Sequence, residues 1–303
     1  MTAAPSDDRP TLVLYTPSGV LMQAAPARLA VKRLKALGFD ARLDEDALAR
    51  HQRFGGDDDR RLAALHRIAQ EAPSIAMATR GGYGLTRLLD RIDWPLLARS
   101  VAQGTRWVGY SDLTALQMSL LAHTGAESWC GPHGADDFGR ATLDEVTPDC
   151  FVEAMSGELE AIGFRTEPGF DGLDVSGRLW GGNLAVLSAL LGTPHWPRVK
   201  GGVLFLEEVN EHPYRVERML LQLHQAGVLA QQKAVLLGAI SDWKPSPMDR
   251  GYSLKTMITY LRSLTPTPIL TGLPFGHVPT KVCMPFGRKV QVLVQARDVL
   301  VGW

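Results

Sequence analysis

One serine stands where an apolar run passes into a helical pattern. In WVGYSDLTAL, residues 107–116, a segment of strand character leads into Ser111, and the leucines that follow recur at helical spacing. A serine at such a junction can simply cap the helix, because its side-chain oxygen accepts a hydrogen bond from the first free N–H groups. Gly109 permits a sharp turn, which would instead expose the hydroxyl as a nucleophile beside those N–H groups. The usual GxSxG signature has Leu113 here in place of its last glycine, so the pattern alone leaves both interpretations open.

A glycine-rich turn, RGGYG at Arg80–Gly84, follows another apolar run. Glycines at a strand end serve tight turns, or they let backbone N–H groups approach a phosphate or a developing oxyanion. The segment lacks the GxGxxG order of dinucleotide sites and the GKS or GKT of a phosphate-binding loop. An oxyanion donor and a purely structural turn are the two interpretations that remain.

Acyl transfer by a serine needs a base, and the base needs a carboxylate that orients it. His277 lies in LPFGHVPT, between a glycine and prolines, which is loop sequence in which most histidines are merely solvated. Glu207 and Glu208 follow the apolar run GGVLFL, a position that favours partial burial. Because side chains alternate along a strand, only one of the two is expected to face a given site. Glu211 and Glu217 fit surface positions or ion pairs on a helix.

Metal chemistry has little support in the sequence. His133, in CGPHGADDF, could line the same cleft, but it has no partner at HExxH spacing, and we expect neither a metal nor an organic cofactor. The three cysteines, Cys130, Cys150 and Cys283, show no CxxC spacing. Free thiols in a reducing compartment are the simplest interpretation of these cysteines.

The elements that must position these residues predict an α/β protein. From Thr11 to Cys130, short apolar runs alternate with amphipathic stretches, as a parallel sheet with crossover helices requires. We expect residues 1–165 to form an N-terminal flavodoxin-like or Rossmann-like parallel-sheet domain, with ligands at the carboxyl ends of its strands. We expect residues 175–303 to form a C-terminal mixed α/β domain with a β-rich core, reached through EPGFDGLDVSG.

Individual elements follow from the same periodicities. The segment WGGNLAVLSALLGTP predicts a buried helix. Other predicted helices cover residues 26–37, 57–72, 148–159 and 214–225. Predicted strands are TLVLY, SIAMAT, RWVGY, GGVLFLEEV, KAVLLGAI, VQVLVQ and DVLVGW.

Composition and charge limit the partners of the chain. Its 303 residues are 45% hydrophobic and 21% charged, values typical of soluble globular proteins. Lys plus Arg equals Asp plus Glu at 32 each, so no net field attracts a nucleic acid. The acidic start MTAAPSDDRP and the lack of an apolar run of ~18 residues predict neither a secretory signal nor a membrane span. We expect a cytoplasmic protein with no nucleic-acid or membrane partner.

A series of motifs runs in order along the chain: RGGYG, LLDRIDW, GYSDLTAL, GPHG, WGGNL, LEEVNEHPYRVERMLLQL, GLPFGH and MPFG. Together they resemble the LD-carboxypeptidase family of serine peptidases, from YTPSG to about residue 287. The resemblance implies that Ser111 is the nucleophile and His277 the general base. It implies that Glu207 orients the base, with Glu208 as the alternative. It also implies an oxyanion hole formed by the backbone N–H groups of Gly82 and Asp112.

The same resemblance implies a substrate and a reaction. The family hydrolyses the amide before the terminal D-alanine of cytoplasmic murein tetrapeptides, in peptidoglycan recycling, through an acyl-enzyme and without a cofactor. Arg80 could bind the terminal carboxylate and Asn183 could hydrogen-bond the peptide, although either residue can be structural. Relatives are commonly homodimers, which we carry over as an expectation.

Two alternatives remain beside this hypothesis. The first is a peptidase of the microcin C immunity type that cleaves an aminoacyl nucleotide analogue. It would need an aromatic clamp for the base, which the sequence does not display. The second is a sensor that binds muropeptides without cutting them. The intact set Ser111, Glu207 and His277 argues against a sensor, since a binding protein has no use for all three.

Overall fold

The structure is a computed structural model that describes residues 9–303. Residues 1–8, on which most of the expectation about a secretory signal depends, lie outside the described residues. The strands are β1 (Thr11–Tyr15), β2 (Asp40–Leu43), β3 (Ile75–Ala78), β4 (Arg106–Gly109), β5 (Ser128–Cys130), β6 (Ala161–Arg165), β7 (Asp174–Asn183), β8 (Val203–Val209), β9 (Ala234–Ser241), β10 (Ile269–Thr271), β11 (Met284–Phe286), β12 (Lys289–Gln295) and β13 (Asp298–Gly302).

The helices alternate with these strands along much of the chain. They are α1 (Ala25–Ala36), α2 (Asp58–Glu71), α3 (Trp94–Ala102), α4 (Thr114–Thr124), α5 (Val146–Ser156), α6 (Leu184–Leu190), α7 (Pro213–Gln225) and α8 (Leu254–Leu264). Short 3-10 turns and one π-helical turn, Gly134–Phe138, lie between them. Within residues 9–303 no helix has the length and apolar character needed to cross a membrane.

The first sheet has the order β11-β5-β4-β3-β1-β2. Its first five strands along the chain pair in parallel, and β11 joins β5 antiparallel at one edge. The order β2-β1-β3-β4-β5 is that of flavodoxin-like sheets, whose strand order reverses between β1 and β3. All four residues of β3 are buried, as a central parallel strand covered on both faces requires. The predicted α/β class is confirmed.

The second sheet is mixed, with the order β10-β9-β8-β7-β12-β13-β6. Strands β7 to β10 pair in parallel, whereas β12, β13 and β6 pair antiparallel. Strand β7 joins the two halves, because its first residues pair with β12 and its last residues pair with β8. The β-rich character predicted for this part of the chain is present.

The segment WGGNLAVLSALLGTP corrects one prediction. Trp180–Asn183 ends β7, and only Leu184–Leu190 is helical. A Cβ atom on Gly181 would lie 1.9 Å from the carbonyl oxygen of Phe205, so the close approach of β7 to β8 requires glycine there. The prediction was wrong because an apolar strand end and an apolar helix start form one continuous apolar run, which periodicity cannot divide.

Two short strands are exchanged between the sheets. Strand β6 pairs with β13 in the second sheet, and β11 pairs with β5 in the first. The expected division into residues 1–165 and 175–303 stays a prediction. Strand β6 lies within the first of these ranges but belongs to the second sheet, and β11 lies within the second range but belongs to the first sheet. The second exchange matters for the site, because the segment before β11 carries His277 from one sheet towards the other.

Candidate active site

Ser111 lies in the sharp turn between β4 and α4. Gly109 has φ +157°, and a Cβ atom on it would lie 2.6 Å from the side chain of Leu113, so the turn needs glycine at this point. Ser111 itself has φ +60°, a left-handed conformation that strains a residue with a side chain. The residue that caps α4 is Leu113, without a side-chain hydrogen bond, so Ser111 is not the cap of that helix.

The hydroxyl of Ser111 instead contacts His277. The distance from Ser111 Oγ to His277 Nε2 is 3.0 Å, and His277 Nδ1 lies 2.7 Å from Glu207 Oε2. Glu207 is 1% exposed and lies in the second half of β8, whereas His277 lies in the irregular segment after β10. Side chains 166 and 70 residues apart in the chain thus form one hydrogen-bonded series that joins both sheets.

The surroundings of His277 favour its protonated form. Burial lowers the pKa of His277, but the hydrogen bond to Glu207 and the charges of Glu207 and Glu208 outweigh this effect. The positive charge of Lys281 opposes them. The net result is a pKa above the ordinary histidine value, so the imidazole binds a proton readily when one is transferred to it.

Glu207 and Glu208 have different partners, although both are buried. Glu208 accepts hydrogen bonds from the backbone N–H groups of Val209 (2.9 Å) and Ala185 (2.7 Å), so it holds the start of α6. Burial raises the pKa of Glu208, although these hydrogen bonds oppose the shift. The pairing of β8 with β9 is irregular between residues 206 and 208, and only Glu207 contacts the imidazole.

Asn183 bridges the two carboxylates. Its Nδ2 donates to Glu207 Oε1 and to Glu208 Oε1, both at 3.1 Å. Its Oδ1 accepts from the N–H of Val186 at 3.1 Å and thereby caps α6. Because Asn183 is 5% exposed and its amide is engaged in these bonds, its contacts favour a role in positioning Glu207 over the predicted contact with substrate.

The glycine turn after β3 packs directly against Ser111. A Cβ atom on Gly81 would lie 2.6 Å from both Cβ and Oγ of Ser111. The carbonyl oxygen of Gly81 accepts a hydrogen bond of 3.0 Å from the N–H of Gly19. In a trans peptide the C=O and the next N–H point in opposite directions, so the N–H of Gly82 points away from Gly19. The position of the turn is compatible with an oxyanion donor beside the serine.

The carboxylate of Asp112 connects the serine turn to two neighbouring loops, a role that sequence reasoning missed. Its Oδ2 accepts from Ser18 Oγ (2.7 Å) and from the N–H of Leu85 (2.9 Å), and Asp112 is 2% exposed. Burial raises the pKa of Asp112, although both hydrogen bonds oppose the shift. The loops after β1 and β3 are thus tied to the serine turn. The local signal for this contact was the acidic residue directly after Ser111.

The remaining predicted residues lie close by. Arg80 Nη1 donates to the carbonyl oxygen of Val20 at 2.9 Å, and Arg80 is only partly buried. His133 is fully buried and stacks on Tyr110 with ring centroids 4.2 Å apart. Its Nε2 lies 3.2 Å from the backbone nitrogen of Tyr110, so His133 supports the serine turn rather than lining the cleft.

Comparisons with known proteins agree with this geometry. The family description "LD-carboxypeptidase N-terminal domain" matches residues 13–131, and "LD-carboxypeptidase C-terminal domain" matches residues 176–292. A probable murein peptide carboxypeptidase of Bacillus subtilis (strain 168) is 30% identical, over 93% of this chain and 90% of that protein.

Solved structures show the same fold. The crystal structure of muramoyltetrapeptide carboxypeptidase from Oxalobacter formigenes is 38% identical, with a TM-score of 0.88 over 96% of this chain and 97% of that one. An MccF-like protein from Bacillus anthracis str. Ames has a TM-score of 0.83 over 97% of this chain and 96% of its own, but at 23% identity this likeness concerns the fold alone. The two domain matches and the relatives that cover nearly the whole chain confirm the family resemblance of its motifs, and the chain belongs to the LD-carboxypeptidase family of serine peptidases.

Proposed function

We propose that this serine carboxypeptidase removes the terminal D-alanine from murein tetrapeptides, using Ser111, His277 and Glu207. The observation that carries the proposal is the hydrogen-bonded series from the strained serine through the imidazole to a buried carboxylate. The relatives named as murein peptide and muramoyltetrapeptide carboxypeptidases support the choice of substrate.

In the first half of the reaction, Ser111 Oγ attacks the carbonyl carbon of the amide before D-alanine. Its proton passes to His277 Nε2, which lies 3.0 Å away. The imidazolium then gives this proton to the nitrogen of D-alanine as the C–N bond breaks. Glu207 keeps the Nδ1–H of the ring directed towards itself, so that Nε2 is free to accept the proton.

In the second half, water hydrolyses the acyl-enzyme. His277 takes a proton from the water, the hydroxyl adds to the ester carbon, and the bond to Ser111 Oγ breaks as the oxygen regains its proton. The shortened peptide leaves with a new carboxylate. Each half passes through a tetrahedral oxyanion, for which we propose the backbone N–H groups of Gly82 and Asp112 as donors.

Arg80 is the residue for which we propose a contact with substrate. We propose that Arg80 binds the carboxylate of the departing D-alanine, since the residue is half-buried beside the glycine turn and its Nε has no hydrogen-bond partner among the described residues. We further propose that the protein is a cytoplasmic homodimer that acts in peptidoglycan recycling. Residues 1–165 and 175–303 would form the two domains of each chain. Sedimentation of the purified chain would test the dimer independently of activity.

The substrate assignment is tested with a mixture of muropeptides. We expect mass spectrometry to show the loss of one alanine from tetrapeptides, while tripeptides and pentapeptides keep their masses. A tetrapeptide that ends in L-alanine serves as the matched control and should be a poor substrate. Cleavage of an aminoacyl nucleotide analogue with intact tetrapeptides would favour the immunity-type peptidase, and tight binding without any cleavage would favour a sensor.

Replacing Gly81 by alanine is expected to lower kcat about 100-fold, because the added methyl group would occupy space 2.6 Å from the attacking oxygen. The Ser111 side chain must move, and its alignment with His277 is lost. Gly163→Ala in β6 is the control, since a Cβ atom there would meet only the carbonyl oxygen of Val299, at 3.8 Å. Unchanged D-alanine release by Gly81→Ala would contradict the placement of the nucleophile.

The raised pKa of His277 predicts the acid limb of the pH profile. The imidazole accepts the serine proton only when it is neutral, so kcat/KM should fall as the pH drops through the raised pKa. We expect the midpoint of this limb to lie above the ordinary histidine value of about 6.5. Rates of D-alanine release measured from about pH 5 to pH 9 check this, and a midpoint below the ordinary value would contradict the carboxylate contact.

A further inference from the structure

The segment that carries His277 crosses from one sheet to the other. We call residues 272–283, between β10 and β11, the base loop; it contains neither helix nor strand. Backbone hydrogen bonds to β9 hold the loop as far as Phe275, whose carbonyl oxygen accepts from the N–H of Ala239 at 2.9 Å. Regular pairing resumes only at β11, in the other sheet. The N–H of Val282 donates to the carbonyl oxygen of Pro274 at 3.0 Å and closes the loop at its base. Between these two residues, side-chain contacts must set the position of the imidazole.

Lys281 is the charged side chain of the base loop that is fully buried, with 0% exposure. Its Nζ donates to Asp137 Oδ1 at 2.5 Å and to the carbonyl oxygen of Val278 at 2.7 Å. Asp137 is 4% exposed, and its Oδ2 accepts from the N–H of His133 at 2.7 Å. A buried ammonium without its counter-ion is very unfavourable, so the base loop cannot leave this arrangement without breaking the ion pair.

The ion pair is connected to the catalytic side chains through Tyr110. Lys281 Nζ lies 5.1 Å from the centroid of the Tyr110 ring. The same ring meets the imidazole of His277 edge-on, with centroids 4.9 Å apart. Because Tyr110 directly precedes Ser111, the ammonium, the phenol ring and the imidazole form one packed contact around the turn that carries the nucleophile.

We propose that the buried ion pair of Lys281 and Asp137 positions His277 against Ser111 by fastening the base loop to the π-helical turn after β5. Asp137 lies in the π-helical turn that follows β5 of the first sheet, and Lys281 follows His277 by four residues in the sequence. The pair is thus a direct link between the nucleophile's surroundings and the base. This proposal rests on the proposed function, in which His277 is the general base.

The charges around the imidazole make the proposal measurable. The negative charges of Glu207 and Glu208 in β8 raise the pKa of His277, whereas the positive charge of Lys281 in the base loop lowers it. Removing the ammonium should therefore raise the pKa of His277 further. A second anchor of the same loop carries no positive charge: Thr280 Oγ1 donates to Asp144 Oδ1 at 2.7 Å. Thr280→Val is consequently a matched control, since it loosens the loop without changing the charge beside the ring.

The experiment compares Lys281→Met, Lys281→Met/Asp137→Asn and Thr280→Val in the full chain. Lys281→Met should lower both the melting temperature and kcat, the latter about 10- to 100-fold with little change in KM. The double variant removes the uncompensated carboxylate, so its melting temperature should recover while kcat stays low. NMR titration of the His277 imidazole should show a raised pKa in both Lys281 variants and an unchanged pKa in Thr280→Val.

Two results would overturn the proposal. Recovery of full kcat together with stability in the double variant would reduce the pair to a structural contact. An imidazole pKa that is the same in all variants would remove the link to His277. If Lys281→Met does not fold, the double variant still decides between these outcomes. The NMR titration needs no turnover, so failure of the wild-type chain to release D-alanine would count against the proposed function and leave the ion pair testable.

Discussion

Ser111→Ala is expected to lower kcat for D-alanine release on the order of 10⁴- to 10⁶-fold. The variant loses the oxygen atom that we propose forms the acyl-enzyme, whereas His277, Glu207 and the proposed oxyanion donors stay in place. Binding of the tetrapeptide should therefore persist, and calorimetric titration of the inactive variant would measure it. The rate is followed by mass spectrometry of the released D-alanine.

The control for Ser111→Ala is another buried serine of the same region. Ser119 lies in α4, and its hydroxyl donates to the carbonyl oxygen of Ala115 at 2.6 Å, far from any role in acyl transfer. Ser119→Ala should change stability slightly and leave kcat near that of the wild type. Release by Ser111→Ala within about tenfold of the wild-type rate would exclude Ser111 as the nucleophile.

The left-handed backbone of Ser111 adds a second test of the same residue. At φ +60° an alanine keeps the strain, whereas a glycine relieves it. Both variants lose the hydroxyl, so both should be inactive. Ser111→Gly should be the more stable by about 1 kcal/mol, a difference that denaturant unfolding can measure. Equal stabilities of the two variants would show that the backbone at position 111 is not strained.

Glu207→Gln is expected to lower kcat on the order of 10³- to 10⁴-fold while the protein stays folded. The amide of the new side chain must direct its NH₂ group either at His277 Nδ1 or at the NH₂ group of Asn183. Asn183 cannot readily turn over, because its Oδ1 accepts from the N–H of Val186. The NH₂ group therefore donates to Nδ1, which leaves the proton on Nε2 and prevents the ring from accepting the serine proton.

Glu208→Gln is the matched control and should have the opposite profile. Glu208 accepts hydrogen bonds from the N–H groups of Val209 and Ala185, one on each carboxylate oxygen. The side-chain amide of glutamine has only one acceptor oxygen, so one of these hydrogen bonds is lost. The variant should lose about 1–3 kcal/mol of stability and keep kcat within about tenfold of the wild type. Thermal melts and initial rates of both variants decide the matter. A larger loss of kcat in Glu208→Gln would assign the orienting role to the neighbouring carboxylate.

Several features of this protein follow from short segments. The parallel strands β1, β3, β4, β8 and β9 were predicted from continuous apolar runs, and α2 from its acidic start at Asp57–Asp59 and its apolar spacing. The turn at Ser111 is also local, since Gly109 and the helix pattern after it lie within a few residues. The family resemblance added the roles of Ser111, Glu207 and His277, whose mutual contacts no fixed spacing in the chain predicts.

Other features depend on how distant segments meet. Strand alternation predicted that one carboxylate alone would face a site, and Glu207 alone contacts the imidazole, but Glu207 and Glu208 also share the amide of Asn183. Arg80 and Asn183 looked equally suited to bind substrate, and only their hydrogen bonds separate a partly free guanidinium from a buried cap.

The α/β class and most helices depend on contacts between near neighbours in the chain, which is why residue patterns predict them. The approach of His277 to Ser111 and the pairing of Lys281 with Asp137 join residues 166 and 144 positions apart. Such contacts depend on the order of the strands in both sheets and on the exchange of β6 and β11. Their energies come from burial and from complementary charge, which exist only after the chain has folded around them.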